Sequence, residues 1–343
     1  MRAFVAALAV AFANVMDVAP AQAQSLTTEL DLTAGYSSED SVRAVATQLR
    51  AFGEVKAGIR FNIEGTWARR SDDDTDAFGA AYPYSGRVQV SEAYAERMFQ
   101  RGSAFAGIRL GQYRTPFGIY SRSDHAYSGF LRAPLIRYDS YWSLTNNFLE
   151  RGADVVVGTP RLSVEASVGV PGDIGIVRRR SGVDSVVRAQ GYYRAFIVGV
   201  SYTNSEPYGP AAYAAGRLEF TGVDARWTFD GIQLRGEWIA GQPWTGPKTR
   251  GGYLDAIVHR RFMGPVTAVF RTEQLNYASK FPFSWHGEDG YTDWQGRRQT
   301  MGGRIRVPGG FTAQVDFILQ SDVLAEYGRA GVDVGLTYSI RRK

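Results

Sequence analysis

Residues 222–241 read GVDARWTFDGIQLRGEWIAG, and this stretch decides the fold class. In its first half, apolar residues alternate with polar ones: Val223, Ala225, Trp227 and Phe229 against Asp224, Arg226 and Thr228. The second half repeats this alternation, with Ile232, Leu234 and Trp238 against Gln233, Arg235 and Glu237. Successive side chains of a strand point to opposite faces, so each half predicts an amphipathic β-strand. Asp230-Gly231 at the centre is a tight-turn signal. The stretch therefore predicts a β-hairpin with one apolar and one polar face.

The same alternation recurs along the chain and predicts sixteen strands. They are expected at 26–36, 41–51, 54–69, 87–99, 103–114, 149–159, 161–170, 185–194, 196–204, 216–229, 231–241, 251–261, 264–276, 297–307, 310–321 and 330–341. The run at 41–51 is the weakest, because Ala44, Ala46 and Leu49 also suit a short helix. Many of these strands reach the roughly 9 to 11 residues that cross a bilayer when tilted.

The connections between the predicted strands alternate in length. Even-numbered connections, such as Pro160, Ala195 and Asp230, are very short, whereas most odd-numbered connections are much longer. An antiparallel meander has this rhythm when short turns lie on one side of a membrane and long loops on the other. Soluble sandwiches, propellers and β-helices also contain amphipathic strands. The strand lengths, the alternating connections and the even count favour an all-β transmembrane up-and-down barrel of about 16 strands.

In a transmembrane barrel the apolar faces meet lipid and the polar faces line the interior. The interior would then carry Arg60, Glu64, Arg109, Asp224, Arg226, Arg235, Glu237, Arg271, Glu273, Arg304, Asp316 and Asp333, among others. Unpaired charges in this number could not pack a dry core, so we expect a water-filled lumen. Seven aromatic residues are expected in the belts at the membrane interfaces: Trp67, Phe99, Tyr113, Trp227, Trp238, Phe262 and Tyr277.

The N-terminal residues have the pattern of a secretory signal peptide. Met1-Arg2 supplies a positive tip, residues 3–15 are almost wholly apolar, and Ala21-Gln22-Ala23 has the small residues of a cleavage site. We expect residues 1–23 to be the signal peptide and residues 24–343 to form a barrel in the cell outer membrane. The chain has no cysteine, which excludes disulfides and thiolate metal sites.

Arginine dominates the basic residues. The formal net charge is +5, and Lys56, Lys248, Lys280 and Lys343 are the only lysines among 39 Lys and Arg residues. The planar guanidinium fork suits carboxylate and phosphate groups, so this bias favours anionic ligands. The arginines are spread over many strands rather than collected in one patch, so we do not expect nucleic-acid binding.

The sequence gives little support to catalysis. His125, His259 and His286 are each isolated, and we expect them to be structural or loop histidines. A lipid hydrolase would need serine and histidine together on the lipid-facing side, whereas His259 falls on the polar parity of its strand. The acidic run at 71–76 could bind Ca²⁺, but a solvated loop that holds divalent-bridged lipopolysaccharide is the simpler interpretation. We expect no enzyme activity and no cofactor.

The longest predicted connection, residues 115–148, follows the fifth strand and is rich in arginine and aromatic residues. Long ordered loops in compact domains are usually functional. Pro116 removes a ladder donor and Gly118 permits a positive φ, so the chain can leave the wall here and fold into the barrel. The predicted pore-lining and constriction residues are Arg60, Arg109, Arg114, Arg122, Arg132, Arg137, Arg226, Arg235, Arg271 and Arg304.

The block SEAYAERMFQRGSAFAGIRLGQYRTPFG, residues 91–118, resembles the porin O and P family of phosphate-selective outer-membrane porins. The resemblance is carried by a strand, a short turn, a second strand and a corner that Arg114, Thr115, Pro116, Phe117 and Gly118 match. It implies a sixteen-stranded barrel, a homotrimer, and a third extracellular loop that forms the constriction. Phosphate-selective members are known for a lysine-rich vestibule, which the four scattered lysines of this chain do not reproduce.

Together these features predict a passive diffusion channel for small hydrophilic solutes. A ring of arginines would raise the local anion concentration, so we expect a preference for anions, phosphate-like or other. The expected partners are small anionic or hydrophilic solutes, outer-membrane lipid and lipopolysaccharide, and further copies of the chain in a homotrimer. The alternative left open is a non-conducting barrel with a structural or adhesive role, and a lipase barrel is a more distant third.

Overall fold

The computed structural model describes residues 23–39, 41–55, 58–71, 78, 86, 88–119, 130–137, 149–171, 183–205, 217–243, 247–278, 281–285, 288–292, 295–321 and 329–343. The predicted signal peptide lies outside the described residues except for Ala23. Arg122, His125, His286 and the acidic run after Ser71 also lie outside them.

The described chain is mostly β-strand. The strands are β1 (Ala23–Ser37), β2 (Val42–Val55), β3 (Ile59–Arg70), β4 (Val88–Arg101), β5 (Ala104–Arg114), β6 (Leu149–Gly158), β7 (Leu162–Pro171), β8 (Asp184–Tyr193), β9 (Phe196–Ser205), β10 (Leu218–Phe229), β11 (Ile232–Gln242), β12 (Thr249–Val258), β13 (Val266–Tyr277), β14 (Phe281–Trp285), β15 (Glu288–Thr292), β16 (Gln295–Val307), β17 (Phe311–Ser321) and β18 (Arg329–Arg342). Leu135–Arg137 and Arg261–Met263 form short 3-10 helices. Within the described ranges, no helix has the length and apolar character needed to cross a membrane.

Sixteen of the described strands close into an antiparallel barrel. Each wall strand pairs with its neighbours in sequence, except that β13 pairs with β16 and the hairpin β14–β15 forms a separate two-stranded sheet. The barrel closes where β1 pairs with β18, from Thr28 opposite Arg342 to Ser37 opposite Asp333. Closure pairs the backbone of every wall strand and leaves no edge. The predicted sixteen-stranded up-and-down barrel is confirmed.

One weakly indicated strand forms as predicted, and one hairpin was not predicted. The run at 41–51, which also suited a helix, is strand β2 and pairs with β1 on one side and β3 on the other. A helix there would leave backbone groups of both neighbours unpaired, so barrel closure overrides the local tendency. The hairpin β14–β15 lies between the strands predicted at 264–276 and 297–307, where no strand was predicted.

The connections after β2, β4, β6, β8, β10, β12 and β16 all lie at one end of the barrel. They range from two residues between β4 and β5 to seven between β12 and β13. In the β10–β11 turn, Asp230 (φ 45°) and Gly231 (φ 73°) both adopt the left-handed conformation that a type I′ hairpin requires. We call this end of the barrel the short-turn end and the opposite end the long-loop end.

The two faces of the wall differ in polarity as the alternation predicts. Outward-facing apolar side chains such as Leu110, Val198 and Phe317 are 53–56% exposed. Inward-facing charged side chains such as Glu237 and Arg271 are buried. Soluble monomers rarely expose so continuous an apolar surface, so the outer face of this wall suits contact with lipid.

Aromatic side chains collect on the outer face near the short-turn end. Trp227 stacks against Phe196 and Phe229, with ring centroids 6.0 Å and 5.9 Å apart. Two residues that we expected in the aromatic belts lie inside the barrel instead, since Tyr113 is 0% and Tyr277 8% exposed. Both occupy the inward parity of their strands, so the expectation that they face lipid was wrong.

Candidate functional site

The fifth wall strand ends at the predicted corner. β5 stops at Arg114, and the N–H of Phe117 donates to the carbonyl of Thr115 at 2.8 Å, which closes a tight turn around Pro116. Gly118 follows with φ 61°, a left-handed conformation that favours glycine. Proline cannot donate to the strand ladder, so the chain leaves the wall here.

The chain then crosses the lumen to strands that are not neighbours of β5. The N–H of Gly118 donates to Ser201 Oγ on β9 at 3.1 Å, and the N–H of Ile119 donates to Glu237 Oε1 on β11 at 3.3 Å. The guanidinium of Arg188 on β8 donates to the carbonyl of Gly118. For the described part of the loop, the predicted fold into the barrel is therefore confirmed.

A second loop segment binds the wall from β13 to β18. The N–H of Leu131 donates to Asp316 Oδ2 on β17 at 3.1 Å, and the N–H of Leu135 donates to Glu273 Oε2 on β13 at 2.6 Å. Arg298 on β16 donates to the carbonyl of Ala133 at 2.5 Å. We call residues 115–119 and 130–137 the strap.

One wall carboxylate pair is completed by a strap arginine. Asp224 on β10 lies directly opposite Glu237 on β11 in the register, and like charges in such a pair repel. Arg188 holds Asp224 with two hydrogen bonds of 2.9 Å. Arg137 of the strap holds Glu237 through Nε at 3.0 Å and Nη2 at 2.5 Å. Without the strap, the carboxylate of Glu237 would thus lack the positive charge that compensates it.

A second carboxylate pair on the wall repeats this arrangement. Asp316 on β17 lies opposite Asp333 on β18. Arg132 of the strap holds Asp333 through Nε at 2.7 Å and Nη2 at 3.1 Å, while Asp316 accepts the N–H of Leu131. Arg132 also donates to Ser37 Oγ on β1 at 2.9 Å. The strap therefore satisfies acidic side chains at two separate places on the wall.

Between these two places, ion pairs link adjacent wall strands. Asp255 on β12 lies in register with Arg235 on β11 and Arg271 on β13, and its oxygens accept from their Nε atoms at 2.9 Å and 2.6 Å. The guanidinium of Arg271 also lies over the ring of Phe130, 3.9 Å from the centroid. Arg298 pairs with Glu273 at 2.7 Å. Arg235 and Arg271, which were predicted to line the lumen, and Arg298, which was not, therefore link wall strands to one another and to the strap.

Three further predicted site residues lie on strands β3 and β5. Arg114 pairs with Glu64 at 2.8 Å and both side chains are buried. Arg109 lies 3.2 Å from Glu96 and 3.2 Å from Asp154, with 20% of its side chain exposed. Arg60 pairs with the same Glu96 at 3.1 Å, and 49% of its side chain is exposed. Arg109 and Arg60 thus retain access to the lumen.

The remaining predicted site residues differ in their surroundings. Arg304 is half-buried on the inward parity of β16. Arg226 lies opposite Arg235 in the register, and within the described residues it forms no ion pair. Its Nε atom is buried without a hydrogen-bond partner among those residues. Among the described residues, no carboxylate therefore compensates the charge of Arg226.

An apolar core fills part of the barrel between the strap and the wall. The strap contributes Phe117, Ile119, Leu135 and Ile136, and the wall contributes Val186, Leu218, Phe220, Ile239, Tyr253, Leu275 and Tyr277. The expectation of a wholly water-filled lumen was therefore wrong at this level. The apolar wall residues occupy inward positions toward the long-loop end, so the strap provides the surface that buries them.

The sequence prediction missed Arg188 and Arg298, which are both fully buried and both donate to strap carbonyls. Each occupies an inward position of a correctly predicted strand, and this position was the sequence signal that could have identified it as a residue of the interior. His259 Nδ1 lies 3.0 Å from the carbonyl of Val266, as expected of a structural histidine in a turn. Among the described residues, no group of His, Cys, Asp and Glu could hold a metal ion.

A closed sixteen-stranded antiparallel barrel with a loop folded into its lumen defines the class of the protein: it has the fold of porin-type outer-membrane β-barrels. Among solved structures, OmpF of Salmonella typhi in complex with daunomycin is similar, with 14% identity, a TM-score of 0.62, and coverage of 92% of this chain and 97% of that chain. Outer-membrane expressed OmpT of Vibrio cholerae has 10% identity and a TM-score of 0.57, over 92% of this chain and 97% of that chain.

A porin refined at 1.8 Å resolution is also similar, with 13% identity, a TM-score of 0.50, and coverage of 92% of this chain and 99% of that chain. No protein-family profile matches the chain, and no curated protein matches it. The solved structures therefore show the porin-type fold, and the resemblance to the porin O and P family stays a prediction.

Proposed function

We propose that the protein is an outer-membrane porin, a passive diffusion channel for small hydrophilic solutes. The observation that carries this proposal is the strap, which crosses the lumen and binds the wall from β8 to β1 at one level. Such an arrangement narrows a pore without closing the whole barrel. Toward the short-turn end, inward charged side chains remain accessible, among them Arg60 at 49% and Glu29 and Arg50 at 28%.

The proposed location follows from the outer surface. A continuous apolar band outside and a charged interior suit a barrel that spans a bilayer. The apparent signal peptide at residues 1–23 would direct the chain to the outer membrane. We include outer-membrane lipid and lipopolysaccharide as partners and a homotrimer as the assembly. The mass of the protein–detergent complex, measured by light scattering with the detergent subtracted, tests the trimer: a monomeric mass contradicts it.

The proposed selectivity is a weak preference for anions, including phosphate-like ones. Ion pairs compensate Arg114, Arg132, Arg137 and several other predicted constriction arginines, so their charges cannot form an open basic ring. Arg226 differs from these arginines, because it faces the lumen without an ion pair among the described residues. The anion preference therefore rests on a small number of lumen arginines.

A non-conducting structural or adhesive barrel is the second candidate. The observation that favours it is the tight packing of the strap, in which Phe117, Leu135 and Ile136 are 0% exposed. A strap with an apolar core beneath it would obstruct that part of the lumen. In this case the long loops rather than the pore would carry the function.

Reconstitution of the purified barrel in planar bilayers distinguishes the two candidates. A porin gives discrete conductance steps, and liposomes that contain it swell in small sugars. A barrel that inserts in folded form but gives neither signal would contradict the channel and favour the structural role. The reversal potential in a salt gradient then tests selectivity: a clear cation preference would overturn the proposed preference for anions.

A further inference from the structure

Six arginines form a collar on the outside of the barrel, at the long-loop ends of the strands. They are Arg43, Arg69, Arg151, Arg217, Arg250 and Arg297, and all are exposed. Each lies within three residues of the long-loop end of its strand, on the same outward parity as the lipid-facing positions further along that strand. On β2, for example, Arg43 is followed by outward-facing Val45, which is 51% exposed. The collar therefore borders the apolar band.

The collar differs from the interior in its charge compensation. Most of the inward arginines described above pair with carboxylates. On the collar, Arg151 donates to Gln112 at 2.8 Å and Arg217 donates to Asn204, which are neutral partners. Within the described residues, Arg43, Arg69, Arg250 and Arg297 form no ion pair. Four exposed positive charges at the border of an apolar band are thus left uncompensated.

Two of the collar arginines lie with two amide side chains on three adjacent strands. Arg250 on β12 lies opposite Asn276 on β13, and Gln274 on β13 lies opposite Arg297 on β16. All four side chains have outward parity, so two guanidinium groups flank two amides on one patch. Below this patch the outward positions are apolar, with Leu254 and Met301 each 51% exposed. The patch therefore offers several hydrogen-bond donors just above the lipid-facing surface.

We propose that the collar binds phosphate groups of lipid headgroups in the leaflet at the long-loop end, with the patch of Arg250, Gln274, Asn276 and Arg297 as its main site. Guanidinium groups bind phosphate with two parallel hydrogen bonds, and arginine carries less hydration than lysine. Basic residues beside a membrane surface also attract anionic headgroups. The inference rests on the proposed function, because the barrel must lie in a bilayer for the patch to meet headgroups.

Native mass spectrometry of the full barrel tests the proposal, with a purified bisphosphorylated lipid A as the probe and its dephosphorylated form as the reference. The test variant is R250Q/R297Q. The matched control is R260Q/R261Q, which removes two arginines from the turn at the other end of β12. We expect the test variant to lose about tenfold or more in affinity for lipid A, because charge-assisted hydrogen bonds are lost. The control should stay within about twofold of the unmodified chain.

Several results would overturn the inference. Equal binding of the dephosphorylated lipid would show that phosphate is not recognised, and equal losses in both variants would show that the position of the patch is irrelevant. Competition by inorganic phosphate at the same concentration as the lipid would indicate a simple anion site. Conductance of each variant shows that it is folded. A conducting R250Q/R297Q variant with unchanged affinity refutes this inference alone, whereas an unmodified barrel without conductance refutes the proposed channel.

Discussion

At the scale of single residues, the wall contains pairs of facing carboxylates, and one carboxylate of each pair finds its compensating charge on an arginine of the strap. Asp224 opposite Glu237 and Asp316 opposite Asp333 place like charges directly across adjacent strands. Such pairs are destabilising when nothing compensates them. Arg137 and Arg132 supply the compensating charges from the strap. Acidic residues of the wall therefore determine the position of the strap as much as the residues of the loop do.

The Arg137→Ala substitution tests this dependence. The side chains of Arg137 and Glu237 are both 0% exposed, so the variant leaves a buried carboxylate without its partner. We expect the free energy of unfolding to fall by about 3 to 5 kcal/mol. Urea titration of the barrel in lipid vesicles, followed by tryptophan fluorescence, measures it. The control is Arg260→Ala, which breaks an exposed pair with Asp230 and should cost less than about 1 kcal/mol. Equal losses would contradict a special role of the strap pair.

A second prediction concerns the charge of Arg226. This side chain faces the lumen without an ion pair among the described residues, so its charge acts on passing ions. A unit charge about 8 Å from an ion in water contributes about 0.5 kcal/mol, with opposite signs for an anion and a cation, which corresponds to about a fivefold change in the anion-to-cation permeability ratio. We expect Arg226→Gln to lower the ratio by about that factor, as measured by reversal potential, and Arg226→Lys to preserve it. Equal shifts in the two variants would show that shape rather than charge is responsible.

The sequence predicted which face of the wall these charged residues occupy, but it did not predict their ion-pair partners. Alternation alone assigned Asp224, Glu237 and Arg271 to the inner face, because the period of two is a local property. The partners depend on the register between strands and on where the strap turns, which are set by contacts distant in sequence. The same reasoning explains why Arg188, on the correct face of β8, was not recognised as a contact of the strap.

At the scale of elements, the corner at residues 115–118 sets the path of the strap. Gly118 has φ 61°, and a Cβ there would collide with the carboxylate of Glu237 and the guanidinium of Arg137. Gly102, in the β4–β5 turn, has nearly the same φ, 59°, but a Cβ there would meet nothing within 4 Å. The two glycines therefore share a backbone requirement and differ in close contacts.

The pair Gly118→Ala and Gly102→Ala separates these two effects. Both variants incur the cost of a left-handed alanine, about 1 to 2 kcal/mol. We expect Gly118→Ala to lose about 1 to 3 kcal/mol more than Gly102→Ala, because the strap must shift away from Glu237. Single-channel conductance should change in Gly118→Ala and stay constant in Gly102→Ala. Identical behaviour would mean that Gly118 is needed for its conformation alone.

The elements themselves were largely predictable from sequence, since each wall strand carries its own alternation and its own turn. The run at 41–51 forms β2 as predicted, and its pairing with β1 and β3 decides against the helix that it also suited. The apolar core under the strap was missed, because an inward apolar residue such as Phe220 is unexpected in a lumen until the covering Phe117 is in place.

At the scale of the whole molecule, the strap connects the middle of the chain to the seam where the barrel closes. Arg132 contacts Asp333 on β18, Ser37 on β1, and Glu39 just beyond β1. At the long-loop end, the first and last strands are thus held together by Arg132, which lies in the loop after the fifth strand. Toward the short-turn end, backbone pairing closes the seam together with side-chain hydrogen bonds and a more exposed pair between Arg341 and Glu29.

This arrangement predicts that the two ends of the seam respond differently to loss of a charge. In Arg132→Met, Asp333 loses its ion-pair partner while its side chain is 0% exposed, so the long-loop end of the seam should open more often. We expect amide hydrogen exchange at residues 35–37 and 332–334 to quicken about tenfold or more, the equivalent of about 1.4 kcal/mol, with little change at residues 28–30 and 340–342.

Arg341→Met is the matched control, because it removes an arginine from the other end of the same seam. Its side chain is 57% exposed, so its pair with Glu29 should contribute little and exchange should change less than about threefold. Uniform acceleration along the whole seam in Arg132→Met would indicate global destabilisation instead of local opening. No acceleration at either end would show that backbone pairing closes the barrel by itself, and that the strap narrows the lumen without stabilising the wall around it.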